Sequence, residues 1–270
     1  GNKGNKEIRN FVSFVCFCEI LLPAVQNDLP TLKAQLACRE RPTGRPALRM
    51  RWENLLFLHW AWDAADIQKT LPPGLRVDVF EGQAWLGVVP FFMRRVHPVG
   101  LPCVPWLSDF LELNVRTYVY DETGTPGVWF YSLACNQPVA VEIARRFFHL
   151  NYVHAAIQAA VRDGGMEYQS RRHAEVAVYD YAMDGPAVEA VPGTLEFFLL
   201  ERYVLFSTNR GGRIHSGRVH HAPYQFAPAR VKAWSFLPAG EDGFADPGRS
   251  PDHMHFSPGV DVAAWPIKSA

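Results

Sequence analysis

The stretch Phe110-Leu-Glu-Leu-Asn-Val-Arg-Thr-Tyr-Val-Tyr120 decides the fold. It is followed by the turn Asp121-Glu-Thr-Gly124, and the run Val128 to Leu133 then returns as the second arm of a hairpin. Side chains alternate faces along a strand, so Glu112, Asn114, Arg116 and Tyr118 share one face and Leu111, Leu113, Val115 and Val119 the other. Two readings fit this alternation. In one, the polar face of an ordinary antiparallel strand lies in water. In the other, it lines an enclosed interior, where a carboxylate and a guanidinium each need partners because an unpaired buried charge is costly. There the arginine would offer an anion a forked contact.

Working outward, further β-like runs are Leu75 to Phe80, Ala84 to Met93, Ala174 to Tyr181, Arg213 to His221 and Arg230 to Phe236. Two helices stand out. Pro138 to Phe148 carries apolar residues at helical spacing, with Asn136 as a candidate cap and Pro138 in the first turn. Thr194 to Arg202 follows the breaker Pro192-Gly193. Val153 to Arg162 fits a helix by its alanines and a strand by its neighbours. Many short strands with few helices predict an α+β, mainly β architecture that is closed or sandwiched.

Composition sets limits on partners. The 27 basic residues match 27 acidic ones, and only six of the basic residues are Lys, leaving 21 Arg. A neutral chain has no global field for nucleic acid or an anionic membrane, so neither is an expected partner. With 48% hydrophobic and 20% charged residues it is built to bury a core. The five Cys are scattered without a CxxC pair, and they read as buried reduced thiols. Cys16 and Cys18 would lie on one side of a strand, which is weak ground for a disulfide.

The first 50 residues differ from the rest. A basic start, Lys3, Lys6 and Arg9, precedes the apolar run Phe11 to Leu22, as in a signal peptide. Glu19 interrupts that run, no small-x-small cleavage site follows, and it is shorter than the ~20 residues of a membrane span. A cytoplasmic protein is therefore expected. The Arg- and Pro-rich stretch Arg39 to Arg51 reads as a linker. This predicts an amino-terminal extension over residues 1–45 and a single domain over residues 46–270.

Other residues are weaker candidates. His59, between Leu58 and Trp60, is a hydrogen-bonded core histidine or a pocket acid–base. His253-x-His255 faces one side of a strand, with His215, His220 and His221 upstream. No acidic residue stands at a motif spacing to complete a zinc set, so no metal is expected. Arg171 and Arg172 face opposite sides of a strand, so at most one enters a pocket. Arg202 reads as a cation offsetting a helix dipole. No GxSxG elbow, Walker loop or GxGxxG fingerprint occurs, and no cofactor is expected.

Several runs resemble the YqjF-like family (domain of unknown function 2071). They are Leu56-Phe-Leu-His-Trp60, Leu71-Pro-Pro-Gly-Leu75, Glu112 to Val119, Gly127 to Leu133, Phe198-Leu-Leu-Glu-Arg-Tyr203 and Val219-His-His-Ala-Pro223. The likeness runs from about Trp52 past Phe256 to Val262. More distantly, that family is similar to the acetoacetate decarboxylase-like superfamily. This likeness implies a β-barrel core with a few peripheral helices and raises the interior reading of Glu112 and Arg116.

The decarboxylases use a lysine that forms a Schiff base with a keto acid. The comparable stretch here, Ala144 to Tyr152, places Asn151 and Tyr152 where that lysine would stand, and neither can form an imine. Their active-site glutamate lies in an aromatic-x-Glu pattern that Phe110-Leu-Glu112 matches. The resulting expectation is a pocket for a small carboxylate or keto compound, with Glu112 as acid or base and Arg116 holding the anion. Asn114, Tyr118, His59, Tyr152 and Arg171 complete the candidate set. Any activity would be of lyase or hydrolase type without a Schiff-base lysine. A non-enzymatic binding or sensing module and a structural protein are the alternatives, and exposed sheet edges leave a homodimer open.

Overall fold

The computed structural model describes Gly1, residues 29–162 and residues 164–269. The apolar run from Phe11 to Leu22, with Cys16 and Cys18, lies outside the described residues. In chain order, α1 (Leu32–Arg39) leads into β1 (Leu48–Trp62), α2 (Ala64–Thr70), β2 (Leu75–Val77) and β3 (Ala84–Pro98). A short α3 (Pro105–Ser108) precedes the hairpin of β4 (Phe110–Asp121) and β5 (Pro126–Cys135), and α4 (Pro138–Phe148) follows. Next come β6 (Tyr152–His154), β7 (Ala156–Arg162), β8 (Gly165–Arg171), β9 (Ala177–Met183) and β10 (Val188–Glu189). The last third holds α5 (Leu195–Leu200), β11 (Val204–Thr208), β12 (Ile214–His221), β13 (Gln225–Ala233), α6 (Leu237–Glu241), β14 (His253–Ala264) and β15 (Lys268–Ser269).

The sheet closes on itself. Its order runs β12-β11-β5-β4-β3-β1-β14, and β14 pairs again with β12 through His221 and Val262. Closure leaves few free edges within this ring of strands. From β14 the sheet continues through β13, β9, β8 and β7, and this arm packs over the outside of the ring. Leu113 and Val115 of β4 and Leu86 and Val88 of β3 share one apolar cluster with Met166, Tyr168, Tyr179 and Tyr181 of the arm. A second cluster fills the ring's inner side, with Phe57, Phe91, Phe110 and Tyr118 among its members. Each fully buried aromatic among these contributes roughly 2–3 kcal/mol of transfer free energy.

β4 is therefore covered on both faces, and its interior residues Glu112 to Tyr120 are all buried. The alternating pattern does not mark a solvent face. The apolar side packs under the outer arm, and the polar side turns inward. Two local devices set this geometry. β5 has a register irregularity against β4 between Val115 and Arg116. Gly87 of β3 lies opposite both His59 and Arg116, and a Cβ there would stand 3.1 Å from the His59 ring and 3.3 Å from Arg116 Cγ. A glycine lets the two side chains close over the strand.

Helix α4 has the predicted limits, but its cap differs. Gln137, not Asn136, caps it by accepting from the Val139 N–H at 3.1 Å. Asn136 instead accepts from the Leu111 N–H and donates to the Ile157 carbonyl, tying β4 to β7. The ambiguous run from Val153 to Arg162 is strand, because β7 pairs along its length with β8. α1 falls within the expected amino-terminal extension, yet it packs on the body. Cys38 is buried with Trp129 and Phe206, and Arg218 donates to the Cys38 and Glu40 carbonyls. Of the thiols, Cys38 and Cys135 are buried and Cys103 is exposed, against the expectation of uniform burial. No helix among the described residues is long and apolar enough to cross a membrane.

Candidate functional site

The inner side of the ring holds a cavity of about 310 Å³. Most of its wall is apolar: Met50, Trp52, Val89, Phe91 and Leu133 from the strands, and Ile143 of α4 closing one side. Helical spacing puts Ala140, Ile143 and Ala144 on the face of α4 that meets the cavity. Most of the polar groups that interrupt this wall lie on or beside β4. Glu112, Asn114 and Arg116 follow each other along β4, and Tyr152 and Arg202 join them. The two-residue period of the strand places the three β4 side chains about 6–7 Å apart along the wall.

Glu112 is 3% exposed and accepts a 2.7 Å hydrogen bond from the Tyr152 hydroxyl. Burial pushes its carboxyl up to about 7, while the Tyr152 hydrogen bond acts to lower it. Tyr152 is held well above its ordinary value by burial first and by the Glu112 charge second, so it remains a donor. Asn114 is buried, and its Oδ1 has no partner among the described residues.

Arg116 is 9% exposed. Its Nη2 donates to the Tyr118 hydroxyl at 3.3 Å and the Leu199 carbonyl at 3.2 Å, and its guanidinium lies over the Phe57 ring at 5.3 Å. Nε has no partner, and no carboxylate pairs with Arg116 among the described residues. Behind it, the Tyr118 hydroxyl donates to the Leu199 carbonyl at 2.7 Å. With its one proton committed, it accepts from His59 Nε2 at 2.7 Å. That fixes the Nε2–H tautomer of His59 and leaves Nδ1 bare, buried and without a partner. Burial first, then the Arg116 charge, holds His59 well below the ordinary imidazole range, so it is neutral.

The structure thus brings Glu112, Asn114, Arg116 and Tyr152 to one cavity. His59 and Tyr118 do not line it; Tyr118 accepts from Arg116, and His59 donates in turn to Tyr118. Arg171 does not line the cavity. It ends β8 on the outer arm, where Met166, Tyr168 and Ser170 take the buried face and Arg171 is left on the exposed one. Arg172 instead pairs with Asp242 at 2.6 Å.

Sequence reasoning missed the part played by Arg202. This side chain lines the cavity, pairs with Asp78 at 2.7 Å and donates through Nε to the Phe198 carbonyl. Its guanidinium lies 4.1 Å from the Phe198 ring centre and 5.0 Å from that of Tyr118. Asp78 is 124 residues distant, so no local spacing signals the pair. Glu201, the residue before Arg202, turns away to the Tyr203 hydroxyl and the Tyr224 N–H. The histidines also sort themselves. His221 stacks on Tyr203 and meets Tyr224 at a tilt, with Nδ1 at the Ala222 carbonyl, and His215 meets His149 at a tilt. His253 and His255 lie together with Glu196 of α5.

Comparisons with known proteins agree with this architecture. The chain is 31% identical over 230 residues to the uncharacterized protein YqjF of Bacillus subtilis (strain 168), spanning 84% of this chain and 94% of that one. Among solved structures, acetoacetate decarboxylase from Legionella pneumophila superposes with a TM-score of 0.61 at 12% identity, over 86% of this chain and 91% of its own. The enduracididine biosynthesis enzyme MppR, complexed with the condensation product of pyruvate and imidazole 4-carboxaldehyde, gives 0.58 at 12% identity, over 84% and 90%. At such identity these likenesses concern the fold alone, which is acetoacetate decarboxylase-like. Residues 49–261 match the DUF2071 family, described as an uncharacterized conserved protein, and the chain belongs to that family.

Proposed function

We propose that the cavity binds a small carboxylate or keto acid, with Arg116 holding the anion and Glu112 serving as proton donor or acceptor. One observation carries this reading: Arg116 is a buried guanidinium on the cavity wall with no acidic partner among the described residues. A ligand carboxylate would supply the forked partner that this group lacks. The apolar wall suits a hydrocarbon body, and the volume is that of a small-molecule site. On this reading the ring serves as a β-barrel around the ligand, and Asn114 Oδ1 accepts from a ligand hydroxyl or amide. Glu112, poised near neutrality, is suited to give or take a proton.

The chemistry we infer does not pass through an imine. Lys33, Lys69, Lys232 and Lys268 are exposed, and Lys69 and Lys232 lie against Asp66 and Asp180. One fold neighbour is named for acetoacetate and another, MppR, is complexed with pyruvate, which suits the ligand class. Borohydride added with a keto acid should leave no adduct on lysine. A second reading, binding without turnover, is favoured by the engagement of Glu112 with Tyr152. A thermal-shift panel of small carboxylates and keto acids against their amides tests the ligand class, because a ligand of the native state raises its stability. Carboxylates should raise the melting temperature and amides should not; equal responses would remove the proposal. Exchange of α-protons of a bound keto acid in D2O then separates proton transfer from binding alone.

A further inference from the structure

His253 and His255 are two residues apart on β14, so their side chains leave the same face of the strand. That face meets the first turn of α5, which carries Glu196. One ligating atom from each of the three lies within 4.8 Å of the other two. His255 is 8% exposed, and its Nδ1 has no hydrogen-bond partner among the described residues. A buried imidazole nitrogen without a partner costs free energy that a bonded one does not. Aromatic rings hold the two histidines in place. Trp85 meets His253 edge to face at 5.3 Å between ring centres, and Phe226 meets His255 in the same way at 5.1 Å.

From this geometry we propose a binding site for a divalent transition metal ion of the zinc class, ligated by Glu196, His253 and His255. Two imidazoles and one carboxylate are a donor set that zinc accepts, and they leave a fourth position for water or another ligand. Tetrahedral bonds of 2.0–2.2 Å place neighbouring donor atoms about 3.4 Å apart. The half-buried side chains of Glu196 and His253 would close the remaining gap by moving inward about 1 Å, a shift of the size that side-chain rotation supplies, while buried His255 stays fixed. The site is distinct from the cavity. α5 reaches from one to the other, with Glu196 at its first turn and Leu200 on the cavity wall.

The test uses the full chain, stripped with a chelator and titrated with Zn²⁺ in competition with a chromophoric chelator, and separately with Co²⁺ followed by visible absorption. One equivalent should bind. His253→Gln and Glu196→Gln should each weaken Zn²⁺ binding by at least about tenfold, since even outer-shell changes cost 10–100-fold. His215→Gln, which alters a histidine outside the cluster, should leave affinity unchanged. Circular dichroism confirms that each variant is folded; should His255→Gln fail to fold, the two half-buried positions carry the test. Failure to bind one equivalent, or Zn²⁺ affinity unchanged in His253→Gln and Glu196→Gln, would overturn the site.

Discussion

Two guanidiniums reach the same cavity, and their surroundings differ. Arg202 pairs with Asp78 at 2.7 Å, with both side chains almost wholly buried, and it also donates to the Phe198 carbonyl. Arg116 has only a phenol and a carbonyl to donate to. Both cations lie over the Tyr118 ring, at 5.0 Å for Arg202 and 5.7 Å for Arg116. Of the two, the fold uses Arg202 for itself. A buried charge whose counter-ion comes from the protein is part of the architecture. A buried charge on a cavity wall without one is suited to a counter-ion from outside.

The largest effect should come from breaking the paired cation. Arg202→Met leaves the Asp78 carboxylate buried without its counter-ion, and should cost about 3–5 kcal/mol in urea denaturation. Changing Asp78 to Leu in the same chain should recover part of that loss. Arg116→Met strands no carboxylate, and its cost should stay near 1–2 kcal/mol, the scale of its hydrogen bonds. Equal losses at the two positions would erase the distinction.

Glu112 sharpens the comparison through pH. Its folded value is raised to about 7 against 4.5 when unfolded. Between these values the unfolded chain releases the proton first, so stability falls as pH rises from about 4.5 to 7 and levels off above. Glu112→Gln removes this dependence. The stability difference between variant and parent should grow by about 3 kcal/mol in the variant's favour across that window. A flat difference would contradict a neutral, buried Glu112.

A smaller effect is expected at Tyr152→Phe. The Tyr152 hydroxyl favours the charged carboxylate, so its removal should move the Glu112 titration upward, with about 1 kcal/mol lost in stability. Carbon-13 NMR of the Glu112 carboxyl would report the direction. A downward shift would mean that the hydroxyl does not donate to Glu112.

The sequence carried β4 well, since alternation put Glu112, Asn114 and Arg116 on one face before any fold was known. What alternation left open was whether that face met water. The answer lies in residues far along the chain, because the outer arm from Ala156 to Met183 covers the other face of the ring. The same distance hid the Asp78–Arg202 pair and the meeting of Glu196 with His253-x-His255. Tyr118 shares the polar face of β4 in sequence, and His59 stands in a motif that fits either a core or a pocket histidine, so neither signals that it lies off the cavity wall. Only packing shows that Arg116 extends across Tyr118 to the Leu199 carbonyl and leaves both residues behind it. The cap of α4 moved by one residue because Asn136 met two backbone partners that lie outside the helix.

In the proposed function, Arg116 is the seat of a ligand anion. Isothermal titration with a carboxylate that stabilises the parent, and with its isosteric amide, tests this in both the parent and the Arg116→Met variant. The carboxylate should bind the parent, with the amide and the variant each weaker by about 10–100-fold, the worth of hydrogen bonds to a charged group. Carboxylate affinity unchanged in folded Arg116→Met would contradict it.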